Sequence, residues 1–428
     1  MLLFFTSNLQ KRYRNDAWLA LAYPRGHVVT FRYHDRIVDP KVLNWPSSTD
    51  GSVQVPPGIR QATIVYADYI SGDFDFYPLR SASLVRMWKR GTGHYTALRL
   101  EDYVSYATDS QPNKFRDAIH KVEYRPRIQT EEKQTYGEGH FLRLTDNPLL
   151  RPQTSYAGET DADNRWYEIV NALAKSPNSG DTLFYRVRGI YRLDEKFWPE
   201  CEFSVCETLI EPISLYAESC YRLWMGRNYI LKILFYIPTR FRPAPDVEII
   251  SSHKEGAVVT PERIQILSRY NEERILIGCR RVLDRTLNPI WIRHANGEQG
   301  EAPENHTQRV QVQQAQREIP AAGATAKSQP AVIATHAQEY PDLRIVEGYL
   351  LTQVEAPPGM IVVLVIALAF ASVLITMGPD MVTGLWKLFG RTIQPNDATL
   401  VASLCKTMGA ILSLGVGYVA FRRLPIGK

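Results

Sequence analysis

Four side chains in the N-terminal region have the types and spacing of a site for a planar anion. Arg86, Trp88 and Arg90 alternate along the stretch SLVRMWKR, so in a strand all three lie on one face. Arg99 is expected on the partner strand, beyond the glycine-rich turn at 91–93. Cations beside an aromatic ring attract an anionic planar ligand such as a nucleotide. A solvated β face has the same composition, and both interpretations stay open.

Residues suited to catalysis are sparse. The sequence contains no GxxxxGK[ST] phosphate loop, no HExxH zinc motif and no GxSxG nucleophile elbow. The histidines show no i, i+4 pair, and no His/Cys cluster has metal-ligand spacing. We therefore predict no catalytic residue, no cofactor and no metal site. The alternative is an active site assembled from residues distant in the sequence, with these first candidates: Asp73, Asp75, His94 and Cys206.

Two apolar segments near the C-terminus have the length that crosses a bilayer. The first, at 360–377, contains no charged residue, and about 17–25 apolar residues span the hydrocarbon core. The second runs from about 400 to 421 and is followed by basic residues. A Gly-Pro-Asp sequence at 378–380 ends the first segment. We predict a C-terminal two-helix transmembrane hairpin at 360–424.

The second segment has two features beyond its apolar character. Gly409, Ser413 and Gly417 lie four residues apart and form a stripe of small residues, which lets helices pack closely in lipid. We expect the stripe to pack on the first span, with self-association of several hairpins as the alternative. Lys406 would lie about 9 Å inside the segment at about 1.5 Å per residue. Snorkelling to the interface is favoured, and a position facing a bundle interior or a pore is the alternative.

The expected location follows from charge and from the first residues. MLLFF is too short an apolar run for a signal peptide, and basic residues follow it rather than precede it. Two spans place both chain ends on one side, and Arg422, Arg423 and Lys428 follow the second span. Five cysteines without CxxC spacing fit a reducing compartment. We expect a two-span protein of the inner (cell) membrane, with the N-terminal region and the C-terminus cytoplasmic.

The region before the apolar segments has a mainly β pattern. Runs of aromatic and β-branched residues recur at intervals of about 8–12 residues, which is typical of antiparallel sandwiches or barrels. The runs 17–23 and 27–33 predict an N-terminal hairpin, and 83–90 with 94–104 predict a second one. An amphipathic pattern predicts a helix at 164–175. We found no strand–helix alternation that indicates a parallel sheet, and we predict two antiparallel β modules with a few short helices.

Composition divides the chain into six segments. The aromatic-free stretch at 296–336 buries too little surface to offset its ordering entropy and would hold the β region away from the membrane. The run 343–354 is either a last strand of the fold, which we favour, or a juxtamembrane helix. The predicted segments are a β-rich basic module at 1–130, a bridging segment with an amphipathic helix at 131–179, a β-rich acidic module at 180–295, a flexible linker at 296–336, a juxtamembrane segment at 337–359 and the transmembrane hairpin at 360–424.

These features predict a membrane-anchored cytosolic sensing or interaction protein. Its output would be clustering or membrane perturbation through the hairpin, a layout analogous to that of bacterial signalling or defence effectors. The expected partners are the lipid bilayer, further copies of the chain, and an anionic ligand or a protein. No Lys/Arg-dense tract indicates nucleic-acid binding. A membrane-tethered enzyme and a passive membrane scaffold are the alternatives.

Overall fold

The structure is a computed structural model, and the protein is mainly β. Every structural statement below refers to the residues that it describes. These are 1–8, 11–70, 73–105, 117–119, 141–147, 150, 158–197, 203–215, 217–238, 245–282, 286–295 and 344–357, together with scattered helical residues between 369 and 410.

The N-terminal part contains the first sheet. Its strands are β1 Leu2–Ser7, β2 Val28–His34, β3 Gln61–Ile70, β4 Asp73–Arg90, β5 Gly93–Tyr103 and β6 Leu142–Leu144, and its helices are α1 Lys11–Ala22 and α2 Pro40–Leu43. The strand order is β2-β5-β4-β3-β1-β6. The predicted hairpin across residues 91–93 is confirmed, because β4 and β5 pair antiparallel up to Arg90 and Gly93. Gly91 has a φ of 58°, the conformation for which a glycine is favoured in this turn.

Two predictions about the N-terminal part are wrong. The run 17–23, predicted as the first arm of a hairpin, lies mostly in α1, whereas β2 is a strand as expected. The first sheet also contains a parallel pair, β1 with β3, which the sequence did not indicate. Both segments are almost entirely buried, so neither shows the alternation that separates a strand from a helix. Alanine and leucine then favour the helix.

The remaining strands form two further sheets, which we call the two-sheet region. The helix α3 Glu159–Leu173 precedes them and confirms the helix predicted at 164–175. The strands are β7 Thr182–Phe197, β8 Phe203–Ile210, β9 Ile213–Leu215, β10 Glu218–Trp224, β11 Asn228–Tyr236, β12 Asp246–Ser251, β13 Ala257–Thr260, β14 Arg263–Gln265, β15 Tyr270–Cys279, β16 Asn288–His294, β17 Arg344–Ile345 and β18 Gly348–Glu355.

The two-sheet region is consistent with a β-sandwich. Its sheets have the orders β14-β12-β16-β18-β10-β9 and β13-β15-β11-β7-β17, and β8 pairs with β7. Burial alternates along β12 and β16, as in sheets with one covered face. Buried side chains from all three sheets belong to one hydrophobic cluster. The described part of the chain therefore has a shared core.

The chain returns to the fold after the segment predicted as a linker. β18 lies between β16 and β10, antiparallel to the first and parallel to the second. The run 343–354 thus contains β17 and β18 rather than a juxtamembrane helix. The segment 296–336 lies outside the described residues, but its place in the chain order is clear. It connects β16 to β17 and does not separate the β region from the apolar segments.

Most of the predicted hairpin lies outside the described residues, including Gly409, Ser413 and Gly417. Residues 402–407 are helical, and Lys406 is exposed among them. A search of the described residues finds no helix with the length and apolar character needed to cross a membrane. The transmembrane hairpin therefore stays a prediction from the sequence.

The first sheet is joined to the two-sheet region by hydrogen bonds, one of them fully buried. The Val28 N–H donates to Ser219 Oγ at 2.7 Å, which connects β2 to β10. The Tyr349 N–H donates to the Tyr23 hydroxyl at 3.2 Å, which connects β18 to the residue that follows α1. Both strands contacted in the two-sheet region are thus neighbours in its sheet.

Charged groups are also buried between these parts, in a cluster that we call the arginine junction. Arg80 and Arg186 are almost completely buried, and their guanidinium carbons lie 4.2 and 5.4 Å from the centre of the Tyr103 ring. Arg186 forms ion pairs with Glu159 at 2.8 Å and with Asp163. Paired and hydrogen-bonded in this way, the buried charges fix β4, β5, α3 and β7 together.

Candidate ligand-binding site

The predicted residues Arg86, Trp88, Arg90 and Arg99 lie on one face of the first sheet. Trp88 stands opposite Tyr95 in the register of β4 and β5. Tyr95 and Arg99 are four residues apart on β5, so their side chains lie on the same face. Along β5, however, these two residues are about 13 Å apart at about 3.3 Å per residue. The four predicted residues therefore share a face without converging on one point.

The aromatic part of this face is occupied by its own neighbours. The Trp88 and Tyr95 rings are stacked, with centroids 5.3 Å apart and planes at 9°. The Arg86 guanidinium carbon lies 5.9 Å from the Trp88 centroid, and the same side chain pairs with Asp50 at 3.7 Å. Arg32 lies over the Tyr95 ring at 5.5 Å. These contacts use ring surface and positive charge that a ligand would need.

Arg99 lines a cavity of about 610 Å³ between the first sheet and the two-sheet region. Small-molecule sites have volumes of about 300–1,000 Å³. The wall is formed by residues 24–26, by β5 and β7, by the residues that join β8 to β9, and by Tyr221 of β10. Arg86, Trp88 and Arg90 are not part of this wall. Of the predicted residues, Arg99 alone thus contributes to this cavity.

Most charges in the cavity wall are paired. Arg25 lies 3.2 Å from Asp102 and 3.6 Å from Glu101. Arg188 pairs with Asp163 at 2.6 Å and with a glutamate of β15 at 2.7 Å. The first set joins residue 25 to β5, and the second joins β7 to α3 and β15. The charges of Arg25 and Arg188 are therefore already paired within the protein, and Asp163 also belongs to the arginine junction.

Three polar groups of the wall have capacity for a ligand. Within the described part of the chain, Arg99 and Glu211 have no ion pair. The Tyr221 hydroxyl is completely buried and has no hydrogen-bond partner there. Burial raises the pKa of Tyr221, so its hydroxyl stays protonated and can donate. A small ligand with an acidic group for Arg99 and a donor for Glu211 matches the two exposed groups of this set, whereas the Tyr221 hydroxyl is enclosed in the wall.

A second, smaller cavity lies between α1 and β2 on one side and β10 and β18 on the other. Burial raises the pKa of Asp16 to about 7, and burial, followed by the charge of Arg80, lowers that of His27 to about 3. Burial also raises the pKa of Glu218, to which the Tyr349 hydroxyl donates at 3.5 Å. The contact between the first sheet and β18 thus favours the neutral form of each of these groups.

Asp73 and Asp75 are the acidic residues named as candidates for a membrane-tethered enzyme, and the structure describes the surroundings of Asp75. Asp75 stands opposite Asp68 in the β3–β4 ladder. Asp68 is completely buried and accepts hydrogen bonds from Asn178 at 2.9 Å and from Tyr66 at 3.3 Å. The side chain of Asp73 is outside the described set. Sequence reasoning missed Asp68, because pairing across strands leaves no local signal.

The other two candidates lie elsewhere. His94 of β5 is buried, with Nε2 3.1 Å from Asp35 Oδ1, and burial followed by the charge of Lys89 lowers its pKa. Cys206 lies on β8 beside the third sheet, whereas Asp75 and His94 belong to the first. The structure does not bring the four candidates together. Among the described residues, no group of three or more His, Cys, Asp or Glu could hold a metal ion.

The 610 Å³ cavity between the first sheet and the two-sheet region is the best candidate for a ligand-binding site. Its strongest elements are Arg99, Tyr221 and Glu211, of which only Arg99 was identified from sequence. The other two come from β10 and from the connection between β8 and β9, far along the chain, so no motif signalled them. Comparison with models of protein families, with curated protein sequences and with solved structures gives no match for this chain.

Proposed function

We propose that this protein is a membrane-anchored sensing or interaction protein whose folded region is coupled to its anchor by one of its own strands. The observation that carries the proposal is the position of β18. This strand lies inside a sheet and ends at Glu355, and the first apolar segment begins at Met360. Residues 356–359 can reach at most about 14 Å when fully extended.

The anchor part of the proposal rests on the sequence. The apolar runs at 360–377 and 400–421 support a two-span hairpin, and two spans place both chain ends on one side. Basic residues after the second span support a cytoplasmic position for both ends, at the inner (cell) membrane. The stripe Gly409, Ser413 and Gly417 supports packing between helices, and we propose clustering of hairpins as the output.

The sensing part rests on the cavity between the first sheet and the two-sheet region. The wall of this cavity includes Tyr221 of β10, the strand that pairs with β18. A ligand changes the state of the hairpin only if it binds one arrangement of these strands better than another. The hydrogen bonds from Val28 to Ser219 and from Tyr349 to Tyr23 connect the same strands to the first sheet.

The anchor is tested by extracting membranes that contain the full chain with alkaline carbonate. We expect the protein to stay with the lipid. The double variant Leu368→Arg, Leu412→Arg should enter the soluble fraction, because each arginine near the centre of a span costs about 2.5–3.5 kcal/mol. Unaltered protein in the soluble fraction would contradict the anchor.

The coupling is tested by two matched insertions of the same Gly-Ser sequence. One is placed between Glu355 and Met360, and the control is placed within 296–336. We expect the first insertion to change the oligomer size of the detergent-extracted protein, because it lengthens the short connection. The control should leave oligomer size unchanged, since it only lengthens the connection from β16 to β17. Equal effects of the two insertions would contradict direct coupling.

A further inference from the structure

The end of β18 lies beside a turn of the two-sheet region. Trp224 stands opposite Glu355 in the parallel register of β10 and β18, and the Met225 N–H donates to the Glu355 carbonyl at 2.9 Å. The Gly226 N–H donates to the Cys279 carbonyl at 2.8 Å. The end of β15 therefore lies against the same turn. The point at which the chain leaves the fold is thus surrounded by residues 224–227 and 279–281.

This surface is rich in arginine. The guanidinium groups of Arg227 and Arg280 are exposed and have no ion pair within the described chain. Arg222 pairs with Glu355 at 3.2 Å. We call the following set, which surrounds the end of β18, the arginine pole: Arg192, Arg222, Arg227, Arg280 and Arg281.

Two further arginines of the pole, Arg281 and Arg192, contact neighbouring side chains. Arg281 lies 3.9 Å from Glu255, a distance at the limit of an ion pair between two exposed groups. The guanidinium carbon of Arg192 lies 5.0 Å from the centre of the Trp224 ring. Tryptophan is enriched where proteins meet the headgroup layer of a membrane. Arginine and tryptophan together are the residue types expected at such a contact.

The short connection limits how far the pole can lie from the bilayer. Residues 356–359 reach at most about 14 Å, and the surface potential of an anionic leaflet decays over about 8–10 Å. Exposed guanidinium groups bind phosphate oxygens with two parallel hydrogen bonds. An anionic lipid surface is therefore the partner that both the charge and the chain path favour.

We propose that the arginine pole binds the phosphate groups of anionic phospholipids and so fixes the orientation of the folded region on the membrane. This inference rests on the proposed anchor, since the anchor brings the pole to the bilayer. The basic face of the first sheet is the competing surface, because Arg90 is also exposed and is not part of the pole.

The test uses the full-length protein in lipid nanodiscs. Phenylglyoxal modifies accessible arginines, and peptide mass spectrometry gives the rate at each site. With phosphatidylglycerol in the disc, we expect modification of Arg227 and Arg280 to slow about fivefold relative to phosphatidylcholine alone, as expected for an attraction of about 1 kcal/mol per residue. High salt should restore the rate. The rate at Arg90 is the internal control and should be the same in both discs.

Charge-reversal variants distinguish the arginine pole from the first sheet. Arg227→Glu with Arg280→Glu should abolish the lipid-dependent protection of Arg222 and Arg281, whereas Arg90→Glu should preserve it. Equal rates in both lipids, with the protein still embedded, would overturn the inference and leave the anchor intact. Slowing at Arg90 rather than at the pole would overturn it in favour of the first sheet. Protection by inorganic phosphate without anionic lipid would assign the pole to a soluble anion instead. Failure of the protein to enter the disc would contradict the anchor itself.

Discussion

Two groups of arginines in this molecule have opposite environments. Arg80 and Arg186 in the arginine junction are almost completely buried, and their charges are satisfied by carbonyls, carboxylates and the Tyr103 ring. Arg227 and Arg280 in the arginine pole are exposed and lack an ion pair among the described residues. Removing a partner from a buried charge is expensive, whereas an exposed charge keeps its water. The first group therefore maintains the fold, and the second is available to a partner.

The largest effect is expected at the junction. Asp163→Ala removes a carboxylate that pairs with both Arg186 and Arg188, and it leaves a buried guanidinium with less compensation. We expect the free energy of unfolding to fall by about 3–5 kcal/mol, measured by urea denaturation. Arg227→Ala at the pole is the control and should change it by less than about 0.5 kcal/mol. Similar losses in both variants would remove the distinction between the groups.

The free energy of unfolding is expected to depend on pH because of Asp16, which lines the small cavity between α1 and β18. The pKa of Asp16 is raised from 3.8 to about 7 in the fold, so the folded state retains a proton that the unfolded state has lost. Asp16 therefore lowers stability progressively as pH rises from about 4 to about 7. Asp16→Asn should raise the free energy of unfolding at pH 7.5 by about 2–4 kcal/mol and change it little at pH 4.

His27 provides the matched test of opposite sign. Its pKa is lowered from 6.5 to about 3, so the folded state holds it neutral while the unfolded state takes up a proton below pH 6.5. His27 therefore lowers stability as pH falls from about 6.5 to about 3. Urea denaturation between pH 4 and pH 8 measures both residues. A gain for Asp16→Asn that is equal at both ends of this range would contradict the assignment.

A smaller effect is expected at the hydrogen bond between the first sheet and the two-sheet region. Ser219→Ala removes the acceptor of the buried Val28 N–H. We expect a loss of about 1–3 kcal/mol in the free energy of unfolding, because a buried donor is left without its partner. Ser214→Ala, at an exposed position of β9, is the control and should have little effect. A loss equal to that of the control would show that this contact does not connect the two parts.

The smallest effect is expected on the aromatic face of the first sheet. Arg86→Ala removes a 3.7 Å ion pair with the exposed Asp50 and leaves Trp88 stacked on Tyr95. Thermal unfolding should show a change of less than about 1 kcal/mol. A larger loss would mean that Arg86 has a role comparable with that of the buried arginines.

The sequence predicted those parts of the fold in which local pattern decides the structure. The hairpin at residues 91–93 has glycines where its turn needs them, and β12 and β16 alternate between buried and half-buried residues. The parallel β1 and the helix α1 were missed, because segments buried on all sides lack this alternation. The central place of β18 was also hidden, since no residue near it in the sequence identifies β10 as its neighbour.

The candidate site was also predicted only where the pattern is local to the sequence. Arg99 was identified because charge and alternation on one hairpin are visible along the chain. Tyr221 of β10 and Glu211, which joins β8 to β9, come near β5 only in the folded protein. The stacking of Trp88 on Tyr95, which turns a predicted ligand surface into an internal contact, is likewise a product of strand register. Side-chain types predicted a basic binding region, and tertiary pairing decided which residues remain available.

The most direct test of the account is the distance from the folded region to the bilayer. A dye introduced at residue 228 through a non-canonical amino acid, beside the arginine pole, can transfer energy to dyes on lipid headgroups. Direct coupling through β18 predicts a single short distance of roughly 20 Å or less, since residues 356–359 reach about 14 Å. A broad distribution centred near about 35 Å, as expected for a random coil of the length of 296–336, would contradict it.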